Sequence, residues 1–172
     1  MASGDSLLYV TAHQADPPDA NAAVPDLLAG GSTPAEQIPV LDFDAATVEY
    51  TDFRLTLPRH YGAGGITVRI VWSADTATTA ETVWSAALRR IADDAERLST
   101  SHAYAYNNAA AATAPTLLSE TSHDEIAFTD GADMDSVAAN NDFILRVRRF
   151  ATDAGDDMAG DALLHSIEIR ET

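Results

Sequence analysis

From Pro39 onward, apolar and polar residues alternate with a period of two in a series of short runs. "PVLDFD" sets Leu41 and Phe43 against Val40, Asp42 and Asp44. "TDFRLTLP" sets Phe53, Leu55 and Leu57 against Arg54 and Thr56. "GITVRIVWSA" places Ile66, Val68, Ile70 and Trp72 on one face, with Thr67, Arg69 and Val71 on the other. "DFILRVRRF" divides Phe143, Leu145 and Val147 from Ile144, Arg146 and Arg148. "LLHSIEIRE" divides Leu163, His165, Ile167 and Ile169 from Leu164, Ser166, Glu168 and Arg170. Successive side chains of a strand point to opposite faces, so each run reads as a strand with one buried face. "DEIAFTD" adds a further short strand, and Gly, Asp, Asn and Pro separate the runs, as in a sandwich or barrel. The pattern predicts an all-β, two-sheet antiparallel sandwich over residues 39–172. Phe43, Phe53, Leu55, Ile66, Val68, Trp72, Leu145, Val147 and Ile167 are expected in its core.

Two segments depart from this pattern. "ETVWSAALRRIADDAERL" puts Trp84, Leu88, Ile91, Ala95 and Leu98 at helical spacing, although its β-branched opening also allows a strand. Residues 1–38 hold many prolines and glycines, a density that works against regular ladders. They are expected to form an extended N-terminal arm, with a strand at "LLYVT". Such an arm would either hang as a loose tail or lace onto a neighbouring chain, and it is expected to contact other chains and contribute little to the core of the domain at 39–172. "NNAAAATAP", residues 107–115, reads as a loop or a tightly packed strand.

The 172 residues suffice for one domain with a sizeable core. No apolar run is long enough to cross a bilayer, and "MASGDSLLYVTAH" lacks the basic segment of a signal peptide. Without cysteine, neither a disulfide nor a thiolate metal site can form. Charge changes the picture most. Twenty-seven acidic residues face ten arginines and no lysine, a net of −17. Such a surface repels nucleic acid and anionic membranes, so neither is expected as a partner. It fits either a solvated acidic face or adaptation to high salt, where screening removes self-repulsion.

The glycines of "HYGAGG" raise the question of a phosphate-binding loop. Such a loop needs a helix behind it to present amides to the anion. Here a period-two run comes next, so the glycines suit a connection between strands that needs positive backbone dihedrals. Around this stretch, "IPVLDFDAATVEYTDFRLTLPRHYGAGGITVRIVWSA", "TVWSAALRRI", "EIAFTDGADMDSVAANNDFILRVRR" and "MAGDALLHSIEIRET", with "ADPPDANAA" upstream, resemble a family of jelly-roll virion proteins of tailed phages and viruses. The resemblance covers most of residues 15–172 and rests on strand and turn signatures. It implies an eight-stranded jelly roll, often assembled as a trimer on a virion, with a homotrimeric capsid decoration protein bound to the major capsid protein or other virion proteins as the leading expectation. The alternative it implies is a receptor- or glycan-binding head of a fibre or tail. It favours a strand over residues 82–92, with a helical turn after it.

The sequence assigns no catalytic, cofactor-binding or metal-binding residue, and the chain is expected not to be an enzyme. His13, His60, His102, His123 and His165 are scattered, with none at the spacing of a helical zinc site. His165 is expected as a satisfied core histidine and His60 as a turn residue. No serine sits in a nucleophile-elbow setting. Asp130, Asp133 and Asp135 of "DGADMDS" offer hard oxygen ligands of the kind calcium takes, but their spacing does not match an EF-hand, and a solvated turn is the better reading. The acidic loop "TDAGDDMAGD" is similar. Arg146, Arg148 and Arg149, close together on one strand, are expected either to pair with acids within the chain or across a subunit boundary, or simply to line a solvated sheet face.

Overall fold

The computed structural model describes residues 4–91 and 97–172. Among these described residues twelve strands succeed one another: β1 (Ser6–Thr11), β2 (Val24–Ala29), β3 (Gln37–Phe43), β4 (Glu49–Thr56), β5 (Ile66–Ala74), β6 (Glu81–Thr82), β7 (Trp84–Ile91), β8 (Asn107–Asn108), β9 (Ala112–Thr113), β10 (Thr121–Phe128), β11 (Asp142–Arg149) and β12 (Ala162–Glu171). One sheet has the order β10-β5-β12-β3-β2, with β1 also paired to β12. The second has the order β4-β11-β7-β8, and β6 with β9 forms a small two-stranded ladder. Every ladder is antiparallel. The fold is therefore the predicted antiparallel β-sandwich, with more strands than the eight implied by the resemblance.

Alternation places the core as expected. Phe43, Phe53, Ile66, Val68, Trp72, Leu145, Val147 and Ile167 are buried between the sheets, and Leu55 packs on them at the margin. Trp84 crosses Phe43 edge-on at 5.0 Å between centroids and leans on Trp72 at 6.2 Å, so three aromatic rings meet at the centre. Residues 84–91 form a strand. Pairing with β11 along its whole length overrides the helical spacing of its apolar residues. The helical turn expected next falls largely on residues 92–96, outside the described residues.

The N-terminal segment corrects the expectation of a separate arm and of a boundary at residue 38. β1 pairs with β12 and buries Leu7 and Val10, while β2 pairs with β3. Between them the chain crosses to the other sheet, where Asp16 and Asp52 exchange backbone hydrogen bonds and the amide of Ala23 donates to the Tyr50 carbonyl. The segment thus straps both sheets. The prolines do not prevent this because they lie where no ladder donor is needed. Pro25 sits in edge strand β2, and Pro39 precedes the part of β3 that pairs with β12.

A second correction concerns β12. Its register with β5 shifts between Leu164 and Ser166, leaving His165 in a bulge. One extra residue exchanges the parity of the remainder of the strand. Ala162 and Leu164 therefore face the core before the bulge, and Ile167 and Ile169 face it after. His165 lies on the outer side, half-buried, with Nε2 2.8 Å from Ser73 Oγ. Burial lowers its pKa.

The glycine connection between β4 and β5 does present amides to an anion, but that anion belongs to the chain. The Gly62 and Gly64 amides donate to the Glu171 carboxylate, each at 3.2 Å or less. Gly65 has φ +94°, and a Cβ there would lie 2.5 Å from the Phe128 carbonyl oxygen, so only glycine fits. No helix among the described residues is long and apolar enough to cross a membrane.

Candidate functional site: an arginine–tyrosine face

The outward positions of three neighbouring strands define one face of the smaller sheet. β4 contributes Tyr50, Asp52 and Arg54, and β11 contributes Ile144, Arg146 and Arg148. Register sets Arg146 opposite Asp52 on one side and Ala87 on the other; Arg148 lies between Tyr50 and Ser85. The small side chains of Ser85 and Ala87 leave room above β7 for the arginines and for the segment that returns toward β8. That segment reads "SHAYAYNN", and its burial alternates so that His102, Tyr104 and Tyr106 turn inward onto the sheet.

The result is a chain of stacked groups. The Arg146 guanidinium lies 4.2 Å from the Tyr104 ring centroid and 5.8 Å from that of Tyr50. The Arg148 guanidinium lies 3.9 Å from the Tyr106 centroid and 4.1 Å from that of Phe150. The two tyrosine rings are 6.2 Å apart, and His102 meets Tyr104 edge-on at 4.9 Å. Cations over aromatic faces attract through the ring quadrupole, more strongly when partly desolvated. Arg146 is also held by a bidentate pair with Asp52, both bonds at 2.7 Å. Burial raises the pKa of Tyr104 and pushes Tyr106 up to about 12, so both hydroxyls stay protonated through neutral pH. Tyr50, Tyr104, Tyr106, Arg146 and Arg148 are all partly exposed. Rigid rings flanked by fixed donors suit a ligand with both an apolar face and hydroxyl groups.

The three arginines grouped by the sequence have separate fates. Arg146 pairs with an acid as expected. Arg149 takes the opposite parity, points into the protein and is fully buried. There it binds Asp156 through Nε and Nη2 and the Gly160 carbonyl through Nη1. Arg148 stacks on rings instead of pairing with a carboxylate. The sequence reading missed Tyr50, Tyr104, Tyr106 and Phe150. The spacing of His102, Tyr104 and Tyr106 at every second position was the available signal.

The other candidates do not converge. Asp130 accepts a hydrogen bond from the Tyr61 hydroxyl at 2.7 Å, Asp133 accepts from the Thr129 amide and from Asn107, and Asp135 accepts from the Arg90 amide. The three carboxylates thus brace three different elements. The second acidic loop is likewise tied inward, with Asp156 on Arg149, Asp157 on the Glu81 amide and Asp161 on the Ala45 amide. Among the described residues, no group of three or more His, Asp or Glu is placed to hold a metal ion. His13, His60 and His123 are exposed, and His102 lies 3.7 Å from Asp135. Away from the arginine–tyrosine face, a groove of about 480 Å³ runs between the N-terminal segment and β3, walled by Ala12, Pro17, Pro25, Leu27 and Leu41.

No protein-family model matches the chain, and no curated protein matches it in sequence. Solved structures do match in fold. The CBM22-1 xylan-binding domain of Xyn10C from Paenibacillus barcinonensis aligns over 99% of this chain and 96% of its own, with a TM-score of 0.53 and 12% identity. The mosquito-larvicidal Cry4Aa toxin of Bacillus thuringiensis aligns over 95% of this chain, with a TM-score of 0.52 and 13% identity. The alignment spans 23% of the toxin's length. At these identities the likeness establishes a shared β-sandwich fold.

Proposed function

We propose that the chain is a non-catalytic glycan-binding module that uses the arginine–tyrosine face. The observation that carries this reading is the pair of partly exposed rings, Tyr104 and Tyr106, each held by a stacked guanidinium. A sugar ring has an apolar C–H face that packs on an aromatic plane and hydroxyls that bond to planar charged groups. Fixing the rings before binding reduces the ordering cost that weakens association. The fold shared with a xylan-binding domain supports the same reading. Affinity electrophoresis through gels containing xylan and other plant, fungal and bacterial polysaccharides tests it. At least one polysaccharide should retard the protein, and a Tyr104→Ala/Tyr106→Ala variant that keeps its thermal midpoint within a few degrees should run unretarded. Unretarded migration of the parent protein in every gel would overturn the reading.

A second reading is the homotrimeric capsid decoration protein implied by the sequence resemblance. It is supported by edge strand β2, whose outer side pairs with no strand among the described residues and which, with β3, leaves Val24, Leu27 and Ile38 exposed. On either reading the expected setting is a virion, as a fibre or tail head in the first case and on the capsid shell in the second.

A further inference from the structure

With Arg89, which β7 sets opposite the outward Ile144, the face carries four arginines, and they differ in what satisfies them. Arg54 pairs with Asp16 at 3.0 Å. Arg89 donates through Nη2 to the carbonyls of Arg97 and Thr100. Arg146 is neutralised by Asp52. Arg148 alone of the four has no carboxylate or carbonyl partner among the described residues. It is held by Tyr106 and Phe150, and its Nε is buried without a hydrogen-bond acceptor. With Nε sealed off, the terminal Nη groups of this partly exposed residue are the donors left for a ligand.

An immobilised cation without a counter-ion can donate to the hydroxyls of a neutral sugar, but its charge stays unmatched there. It suits a planar carboxylate, which a guanidinium engages through charge-assisted and often paired hydrogen bonds. The rest of the molecule limits how much negative charge the ligand can carry. A chain at −17 repels a dense polyanion at long range, while one carboxylate at Arg148 feels mainly the local cation. Resting on the glycan-binding reading, we infer that the ligand is a glycan of mostly neutral sugars carrying isolated uronic acids. Arg148 binds the uronate carboxylate, and the tyrosines take the neighbouring sugar rings. Arg146, held by Asp52, acts as a positioning residue for Tyr104.

Isothermal titration with three probes tests this: glucuronoxylan, the same polymer after chemical reduction of its carboxyl groups, and polygalacturonate. The parent protein should prefer native over reduced glucuronoxylan by about tenfold at 50 mM NaCl, with the preference shrinking at 500 mM as the ion pair is screened. It should bind polygalacturonate more weakly than glucuronoxylan. Arg148→Gln should bring the native-to-reduced ratio close to one, and Arg148→Lys should restore only part of it, because an ammonium lacks the planar fork. Equal binding of native and reduced polymer by the parent protein would overturn the inference while leaving glycan binding intact. Tighter binding of polygalacturonate would overturn the sparse-charge argument. Absence of binding to both glucuronoxylans would remove the inference, and the polysaccharide gels described above then decide separately whether glycan binding itself stands.

Discussion

Asp124 points into the core from β10 and is 7% exposed; the Trp72 indole N–H donates to its Oδ2 at 2.6 Å. Burial outweighs that bond and pushes its carboxyl up from 3.8 to about 6. The folded protein therefore holds this proton more tightly than the unfolded chain does. The associated stability is fully present below about pH 4 and is lost as pH rises through about 6. A change from 3.8 to about 6 corresponds to roughly 3 kcal/mol between the two protonation states. Asp124→Asn keeps an acceptor for Trp72 and removes the charge, so it should raise the thermal midpoint at pH 8, with the gain fading toward pH 4. Calorimetry of both proteins across that range checks it; a gain independent of pH would show that Asp124 is not protonated in the fold. Asp42, pushed up to about 6 by burial and then by the charges of Asp161, Asp75, Asp26 and Glu49, acts in the same direction. Neither shift was legible from the sequence, because 27 acidic residues look alike until burial separates them.

At the scale of elements, the N-terminal segment changes most between sequence and structure. Its removal would unpair β1 from β12 and β2 from β3, and strip Leu7, Val10, Ala12 and Ala23 from the core. Burial of a Leu or Val side chain contributes roughly 1.5–3 kcal/mol, and the newly bared edges of β3 and β12 invite aggregation. Against a typical stability of about 5–15 kcal/mol, deletion of residues 1–35 should abolish the cooperative thermal transition or leave the protein insoluble. A soluble deletion variant that melts within a few degrees of the parent would show that the straps are dispensable. The sequence identified the strand at "LLYVT" but not its partner, since pairing with β12 spans almost the whole chain. It also placed His165 on the core face, because an uninterrupted alternation cannot reveal a bulge.

For the whole molecule, the net charge of −17 is the dominant property. Of the ion pairs its arginines form, Arg149–Asp156 is fully buried, while Arg54–Asp16 is largely exposed and contributes little, and Arg170–Glu125 is partly exposed. The homotrimer of the second reading would gather −51 from three such chains. Screening shortens from about 10 Å at 0.1 M salt to about 3 Å at 1 M, so that assembly should strengthen as sodium chloride rises. Sedimentation at both concentrations checks it; trimers that dissociate steadily with added salt would show that attractive pairs across the interface dominate.

The sequence by itself determined the fold class, most of the core and the acidity, because period-two alternation and composition are local properties of the chain. It also carried the parity that separates inward Arg149 from outward Arg146 and Arg148. Only the tertiary structure decided what those arginines meet. Tyr50 arrives from β4, and Tyr104 and Tyr106 from the segment before β8, so the stack exists only when register and the return of that segment bring three distant stretches onto one face. The same holds for Glu171, whose carboxylate finds the Gly62 and Gly64 amides more than a hundred residues away. Alternation tells each strand which side to bury, whereas partners so far apart in sequence are chosen by the packing of the sheets.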